Sequence, residues 1–294
     1  MKSGFVAIIG RPNAGKSTLL NAFTGEKIAV ISDKPQTTRN NILGIVNDKD
    51  AQVVFMDTPG IHRPKNKLGE FMVKEAQSSV KGVDAIILVV SVDDNPSVND
   101  DIINNIKGAD VPVILVVNKT DSTEKENILP LIATYSQKMD FDEIIPISAL
   151  KGDGVDILYN EILKRLEEGP MYFPEDMVTD QPERQIVAEI VREKALWCLD
   201  KEVPHGIAVE ITEFKERADS SVYVGVTINC EKKSHKGIII GKNGSMLKRI
   251  GQKARIDCEK FLGTKVFLEI WVKIKEDWRN SDFLIKNFGF DNKN

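Results

Sequence analysis

The octapeptide GRPNAGKS, residues 10 to 17, directly follows the apolar run FVAII, and this juxtaposition constrains the fold more than any other feature. It satisfies G-x-x-x-x-G-K-S at every position. The pattern works only where a buried strand ends and a helix begins, because the N–H groups of the turn and of the helix N-terminus must then converge on a phosphate. The chain must therefore contain a strand–loop–helix unit, the first piece of a parallel sheet with right-handed crossovers. Gly10, Arg11, Pro12, Asn13, Ala14 and Gly15 are expected to form the cradle, with Lys16 reaching the β- and γ-phosphates. The Ser17 hydroxyl is an oxygen ligand for Mg²⁺, and Thr18 completes the nucleotide-contacting stretch.

Further strand-like runs recur at the spacing such a sheet needs: AQVVFMD, DAIILVVS, VPVILVVN and EIIPIS. Helical patterns near 68–80 and 98–107 separate them. Continuous β-branched runs bounded by turns are the mark of strands buried on both faces, so the expected fold is α/β, a doubly wound and mostly parallel sheet. At 294 residues the chain has room for a second domain. The stretch PMYFPEDMVTDQPE, with Pro170, Pro174 and Pro182, reads as a linker. The expected boundaries are thus 1–168, a linker at 169–182, and a second domain at 183–294. In that second part the order reads α-β-β-α-α-β, an α+β domain that begins with an amphipathic helix over 185–199.

Three short motifs define the ligand of the first domain. DTPG follows the strand VVFM, which puts Asp57 at a strand end where its carboxylate serves Mg²⁺; Thr58, Pro59 and Ile61 are expected among the nucleotide-contacting residues of this turn, and Gly60 offers an N–H to a γ-phosphate. NKTD, residues 118–121, selects the base. Asp121 accepts from both N1–H and the 2-amino group of guanine, Asn118 bonds the base and the loop, Lys119 lays its stem along the ring, and Thr120 completes the turn. Adenine has neither donor, so ATP would leave Asp121 unpaired, and sites built this way discriminate by about 10⁴ or more. SAL, residues Ser148, Ala149 and Leu150, adds backbone N–H groups near guanine O6.

The second domain holds a second glycine turn. IIIGKNG joins two helical patterns, and from 232 to 275 there are twelve Lys or Arg against three acidic residues, inside a chain whose net charge is −4. A local basic face of this kind suits a polyanion. Gly241, Lys242, Asn243 and Gly244 allow a sugar-phosphate backbone to approach closely. Lys248 and Arg249 follow on the next helix. Ile239 and Ile240, with Ile238, are expected to floor an apolar groove for bases. Trp271 and Trp278 are candidates for stacking on bases, although a tryptophan within FLEIWVKI reads first as core.

The nucleotide motifs resemble those of the translation-factor-related GTPases, and QTTRN at 36–40 resembles their first switch. That resemblance implies Thr38, or alternatively Thr37, as the sensor of Mg²⁺ and γ-phosphate, and makes Lys16, Thr38 and Gly60 the catalytic set. It places Ile61 among GTPases with an apolar residue where others have a water-orienting glutamine. It further implies K⁺ held by Asn13; His62 stays open as a base. The α-β-β-α-α-β order with its Gly-x-x-Gly loop resembles the type II KH domain, whose loop clamps about four nucleotides. The combination, together with FPEDMVTDQPER, EIVREK, EVPH and LEIWVK, resembles the Era family of bacterial ribosome-assembly GTPases. What this implies is a GTP/GDP switch, GTP hydrolysis with Mg²⁺, binding of 16S rRNA near its 3′ end, assistance to 30S subunit assembly, a monomer, and a cytoplasmic location with association at the inner face of the cell membrane.

Other classes are set aside on the residues. Three scattered cysteines, without a C-x-x-C pair, fit neither a disulfide framework nor a zinc site and suit a reducing cytosol. No signal peptide is expected, and no apolar run approaches the ~20 residues of a membrane span. A P-loop kinase or ATPase is opposed by NKTD. A GTPase of signalling or tRNA modification is the alternative that the basic second half opposes.

Overall fold

The computed structural model describes residues 1–34, 36–61 and 64–290. The first unit is built on a six-stranded sheet in the order β2-β3-β1-β4-β5-β6, made of β1 (Lys2–Gly10), β2 (Ile42–Asp48), β3 (Ala51–Asp57), β4 (Ala85–Ser91), β5 (Val113–Asn118) and β6 (Glu143–Pro146). Every pairing is parallel except β2 with β3. The helices of this unit are α1 (Lys16–Thr24), the part of α2 (Lys67–Ser78) from Met72 onward, α3 (Asp100–Ile106), α4 (Ile128–Ser136) and α5 (Val155–Arg165).

Period-2 geometry explains why the strands are apolar throughout. Val6 and Ile8 of β1 enter one core, while Ala7 and Ile9 enter the other. Ile87 and Val89 of β4 likewise oppose Ile86, Leu88 and Val90. Each face is covered, so every position of β4 and β5 is buried, and burying one such side chain contributes roughly 1.5–3 kcal/mol. The loops carrying GRPNAGKS, DTPG, NKTD and SAL leave the C-terminal ends of β1, β3, β5 and β6, where a doubly wound sheet places its ligand.

The proline-rich stretch is not a loose tether. Gln52 of β3 donates to the Phe173 carbonyl at 2.8 Å and accepts from the N–H groups of Tyr172 and Phe173. Asn47 donates to the Glu175 carbonyl, the Ile45 N–H reaches the Val178 carbonyl at 2.8 Å, and the Thr179 hydroxyl donates to the Leu43 carbonyl. Residues 172–179 therefore strap the edge strand β2, occupying polar groups that an open edge would leave unpaired.

The second unit comprises Gln181–Asn294 together with Val30–Thr37 and Pro64–Phe71. It runs α6 (Glu183–Cys198), β7 (Ala208–Glu216), β8 (Val222–Cys230), α7 (Lys233–Ile240), α8 (Ser245–Leu262) and β9 (Val266–Ile274), followed by α9 (Asp282–Asn287). β8 is central, antiparallel to β7 and parallel to β9. Val224, Val226 and Ile228 of β8 pack with Val187 and Val191 of α6 and with Ile250, Ala254 and Cys258 of α8. All three cysteines are buried thiols.

Trp271 corrects an expectation. It is 59% exposed, not core, because β9 alternates and sends Val266 and Val272 inward and Phe267 and Trp271 outward. Trp278 is fully buried, and its Nε1–H donates to the Gly206 carbonyl at 2.9 Å, so it is a core residue and offers no ring to a base. Among the described residues no helix is long and apolar enough to cross a membrane.

Candidate nucleotide pocket and nucleic-acid groove

Between β1 and α1 the chain makes the phosphate loop. Gly15 caps α1 at φ 100°, and the first N–H groups of the helix have no side-chain cap. A side chain at Gly15 would be strained at that φ, and its Cβ would lie 2.1 Å from Asn118 Nδ2. Lys16 is buried; its ammonium turns back to the carbonyls of Gly10 at 3.1 Å and Arg11 at 2.9 Å. Burial lowers the Lys16 pKa, and the charge of Asp57 opposes that shift. Arg11 reaches away to the Val98 carbonyl.

Three oxygens meet beside the loop. Ser17 Oγ lies 2.8 Å from Thr38 Oγ1 and donates to Asp57 Oδ2 at 2.6 Å, while Thr38 Oγ1 donates to the same oxygen at 3.4 Å. Asp57 is wholly buried, and its Oδ1 has no partner. Burial pushes the Asp57 carboxyl up to about 6, against the pull of Lys16 and the hydroxyls of Ser17 and Thr38. An all-oxygen donor set with an orphaned buried carboxylate oxygen fits a small hard cation such as Mg²⁺, whose charge would hold Asp57 ionised. Of the two adjacent threonines, Thr38 faces this cluster; the Thr37 hydroxyl is turned to the Lys34 carbonyl at 2.5 Å.

Thr58 is fully buried, and its hydroxyl donates to the Ile8 carbonyl at 2.9 Å, which fixes the turn. Gly60 lies against the phosphate loop, where a Cβ would meet Pro12 N at 2.6 Å. Ile61 anchors its N–H on the Gly10 carbonyl at 3.2 Å and packs at the border of the second sheet core. His62 lies outside the described residues.

Asn118 ties the base end together, donating to the Ala14 carbonyl at 2.9 Å and accepting from the Ala149 N–H at 3.0 Å. Lys119 takes a left-handed conformation at φ 66°. Asp121 accepts the Ser148 hydroxyl at 2.6 Å on Oδ1. The carboxylate is thereby oriented, with lone pairs left for a base. Leu150 is 72% exposed, so any contribution from it is through the backbone.

In the second unit, α7 ends at Gly241 (φ 73°) and α8 begins after Gly244 (φ 77°), with Asn243 between them at φ 53°. A Cβ at Gly241 would meet Met246 N at 2.8 Å, so the turn closes only on glycine. Lys242 and Asn243 are exposed at its tip. Beside the turn runs a groove of about 470 Å³ lined by Gly244, Leu247, Lys248, Gly251, Gln252 and Arg255 on one side and by Leu268 and Ile270 of β9 on the other.

This groove corrects one expectation and adds to another. Ile239 is fully buried in the core and cannot floor it, and Ile240 packs against the same core. The apolar wall is instead Leu268 and Ile270, with Leu247 opposite. Arg249 is exposed but lies outside the groove lining. Residues 247, 248, 251, 252 and 255 recur at helical spacing, a signal in the sequence that the stripe of buried residues at 250, 254 and 258 overshadowed.

The two sites define a class: a P-loop GTPase domain followed by a KH domain. The family described as "50S ribosome-binding GTPase" matches residues 5–119, and "KH domain" matches 202–279. GTPase Era of Ruminiclostridium cellulolyticum is 56% identical over 295 residues, covering 100% of this chain and 99% of that protein; GTPase Era of Alkaliphilus oremlandii is 56% identical over 292 residues, covering 99% of each. Two solved Era structures, an Aquifex aeolicus variant bound to GDP·AlF4⁻ and a complex with MgGDPNP and nucleotides 1506–1542 of 16S ribosomal RNA, each superpose with a TM-score of 0.94 at 44% identity over 99% of both chains. The chain belongs to the Era family of GTPases.

Proposed function

We propose that this protein is a GTP-hydrolysing switch that binds 16S rRNA near its 3′ end and assists assembly of the 30S subunit. One observation carries the reading: a basic Gly-x-x-Gly turn opens onto a groove with a cationic and an apolar wall, in a chain that also holds a phosphate loop and an Asp121 carboxylate oriented by Ser148. The Era complex with 16S nucleotides supports the choice of RNA. The 50S in the family description belongs to a match over the GTPase half alone and does not bear on the KH half. Domain limits of 1–168 and 183–294, with the strap between, a monomeric state, a cytoplasmic location and contact with the inner membrane surface complete the reading.

The pocket can position a water-mediated cleavage of GTP. The loop N–H groups from Asn13 to Ser17 hold the β-phosphate, and Lys16 draws charge from the bridging region. Ser17, Thr38 and Asp57 would hold Mg²⁺, which when bound neutralises the β- and γ-oxygens. Gly60 presents an N–H to the γ-phosphate. Water attacks phosphorus, the bond to the GDP oxygen breaks, and the proton leaves with phosphate. Ile61 offers no group to orient that water, so catalysis rests on charge neutralisation.

Hydrolysis is therefore expected to be faster in K⁺ than in Na⁺ at equal ionic strength, with Asn13 a ligand of the monovalent ion; equal rates in phosphate-release assays would remove that ligand role. Loss of hydrolysis in His62→Ala with intact GTP binding would assign the base to His62. In the groove, Gly251→Leu is expected to raise the melting temperature, since helix-interior glycine costs about 1 kcal/mol. The same change fills the space before Ile270 and should weaken single-stranded RNA binding. Unaltered RNA affinity in anisotropy titrations would place the bases elsewhere. For the proposal as a whole, crosslinking in cells followed by sequencing of the attached RNA is decisive: recovery of tRNA without 16S rRNA would replace it with the tRNA-modification alternative.

A further inference from the structure

The peptide that presents Thr38 hangs on one residue. Thr38 Oγ1 donates to Asp57 Oδ2 at 3.4 Å, and Ile42, the first residue of β2, stands opposite Asp57 in the antiparallel pairing with β3. Between them Arg39, Asn40 and Asn41 form neither strand nor helix. Asn41 ties this stretch to a different element: its Nδ2–H donates to Glu75 Oε2 of α2 at 2.9 Å. Asn41 and Glu75 both lie in the first unit. The acceptor is well anchored. Met72 and Ala76, on either side of Glu75 along the helix, are buried, and the Glu75 carbonyl accepts the hydroxyls of Ser78 at 2.9 Å and Ser79 at 2.8 Å. Burial raises the Glu75 pKa against the pull of Lys74, so the carboxylate is partly shielded from water. A hydrogen bond to an ionised acceptor in such a place is worth more than one between neutral groups.

Asn41 Oδ1 is buried and has no partner. An asparagine with one amide atom paired and the other buried alone adds little to stability, because the orphan's lost hydration offsets the bond. What the bond holds explains the side chain better. α2 follows Gly60 in the chain, so the pair joins the peptide of Thr38 to the helix beyond the other γ-phosphate contact. We propose that Asn41 is a positioning residue for GTP hydrolysis: through Glu75 it holds residues 38–41 so that Thr38 Oγ1 stays beside Ser17 and Asp57. The inference rests on the reading of Thr38 as the sensor of Mg²⁺ and γ-phosphate. GDP lacks the γ-phosphate, so the effect belongs to the GTP state.

The test compares wild type, Asn41→Ala, Asn41→Asp, Glu75→Gln, the double variant Asn41→Asp with Glu75→Gln, and Thr38→Ala, in the full chain without RNA. Asn41→Ala should lower kcat by about tenfold, the scale of one hydrogen bond to a charged group. The Mg²⁺ concentration for half-maximal rate should rise, while GDP affinity and melting temperature stay close to the wild-type values. Glu75→Gln keeps an acceptor for the Asn41 amide and should hydrolyse GTP nearly as fast as the wild type. Asn41→Asp sets two carboxylates together and should be at least as slow as Asn41→Ala. Adding Glu75→Gln to it reverses the hydrogen bond, with the new amide donating to the new carboxylate, and should recover most of kcat. A folded Asn41→Ala with wild-type kcat and Mg²⁺ dependence overturns the proposal alone if Thr38→Ala is slow. If Thr38→Ala itself hydrolyses normally, the sensor reading falls and the proposal falls with it. A parallel loss of GDP affinity, kcat and melting temperature means that Asn41 is structural, which also overturns it. Should Asn41→Ala not fold, the rescue decides: an Asn41→Asp defect that Glu75→Gln does not relieve overturns the proposal.

Discussion

Asp121→Asn is expected to prefer XTP to GTP, reversing the base selectivity of the protein. The carboxylate accepts the Ser148 hydroxyl on Oδ1 at 2.6 Å, and Asn can keep that bond through its amide oxygen. The rotamer is thus retained while the other terminus changes from acceptor to donor. Against guanine, that donor faces the N1–H and 2-amino donors, leaving buried polar groups unpaired. Xanthine offers an acceptor at the 2-position. Sites that read a hydrogen bond discriminate by ~10⁴ or more, so the GTP/XTP ratio should fall by orders of magnitude. Competition of GTP and XTP for a fluorescent guanine nucleotide measures it; sustained preference for GTP means that Asp121 does not read the base. Asn118 would not serve as this probe. It links the Ala14 carbonyl to the Ala149 N–H, so its loss should weaken every nucleotide alike.

The nucleotide half was legible because its constraints are local in sequence. A phosphate loop needs a strand before it and a helix after it, and the runs from Val6 to Ile9 and from Ile86 to Val90 show strands covered on both faces. The clustering of Ser17, Thr38 and Asp57 is a spatial fact, yet each residue stands in its own motif. Other features have no periodic signature. The strap on β2 is made by Gln52 and Asn47 bonding to the backbone of residues 172–177, and side chain–backbone bonds across 120 residues leave no pattern to find. The groove takes one wall from α8 and the other from β9, so its apolar side appeared first as IIIG, adjacent in sequence, when it is Leu268 and Ile270. Nothing in the local sequence of Arg192 to Lys194 announces their burial, which depends on partners at Thr37, Ile31 and Asp257.

The double substitution Lys242→Asp and Asn243→Asp should abolish RNA binding and leave the nucleotide pocket intact. Both residues are exposed at the tip of the turn, so neither contributes to a core. Gly241 and Gly244 remain, and they supply the φ of 73° and 77° that the turn requires. Asn243 itself sits at φ 53°, a region aspartate tolerates nearly as well as asparagine. The fold of the turn is therefore preserved while two carboxylates stand where phosphates must approach. Like charges in such contact cost several kcal/mol, which corresponds to a loss of affinity of about 100-fold or more. GTP affinity should match the wild type, because Asn13 to Ser17, Asp121 and Ser148 are untouched. Anisotropy titration with a single-stranded RNA of the 16S 3′ region reads the first effect, nucleotide titration reads the second, and circular dichroism confirms folding. A folded double variant that binds this RNA as tightly as the wild type would remove the turn from the interface. If RNA alters the rate of phosphate release by the wild type and not by the variant, the groove and the phosphate loop act as one switch. If RNA changes the rate of neither while binding is lost, the two sites operate independently.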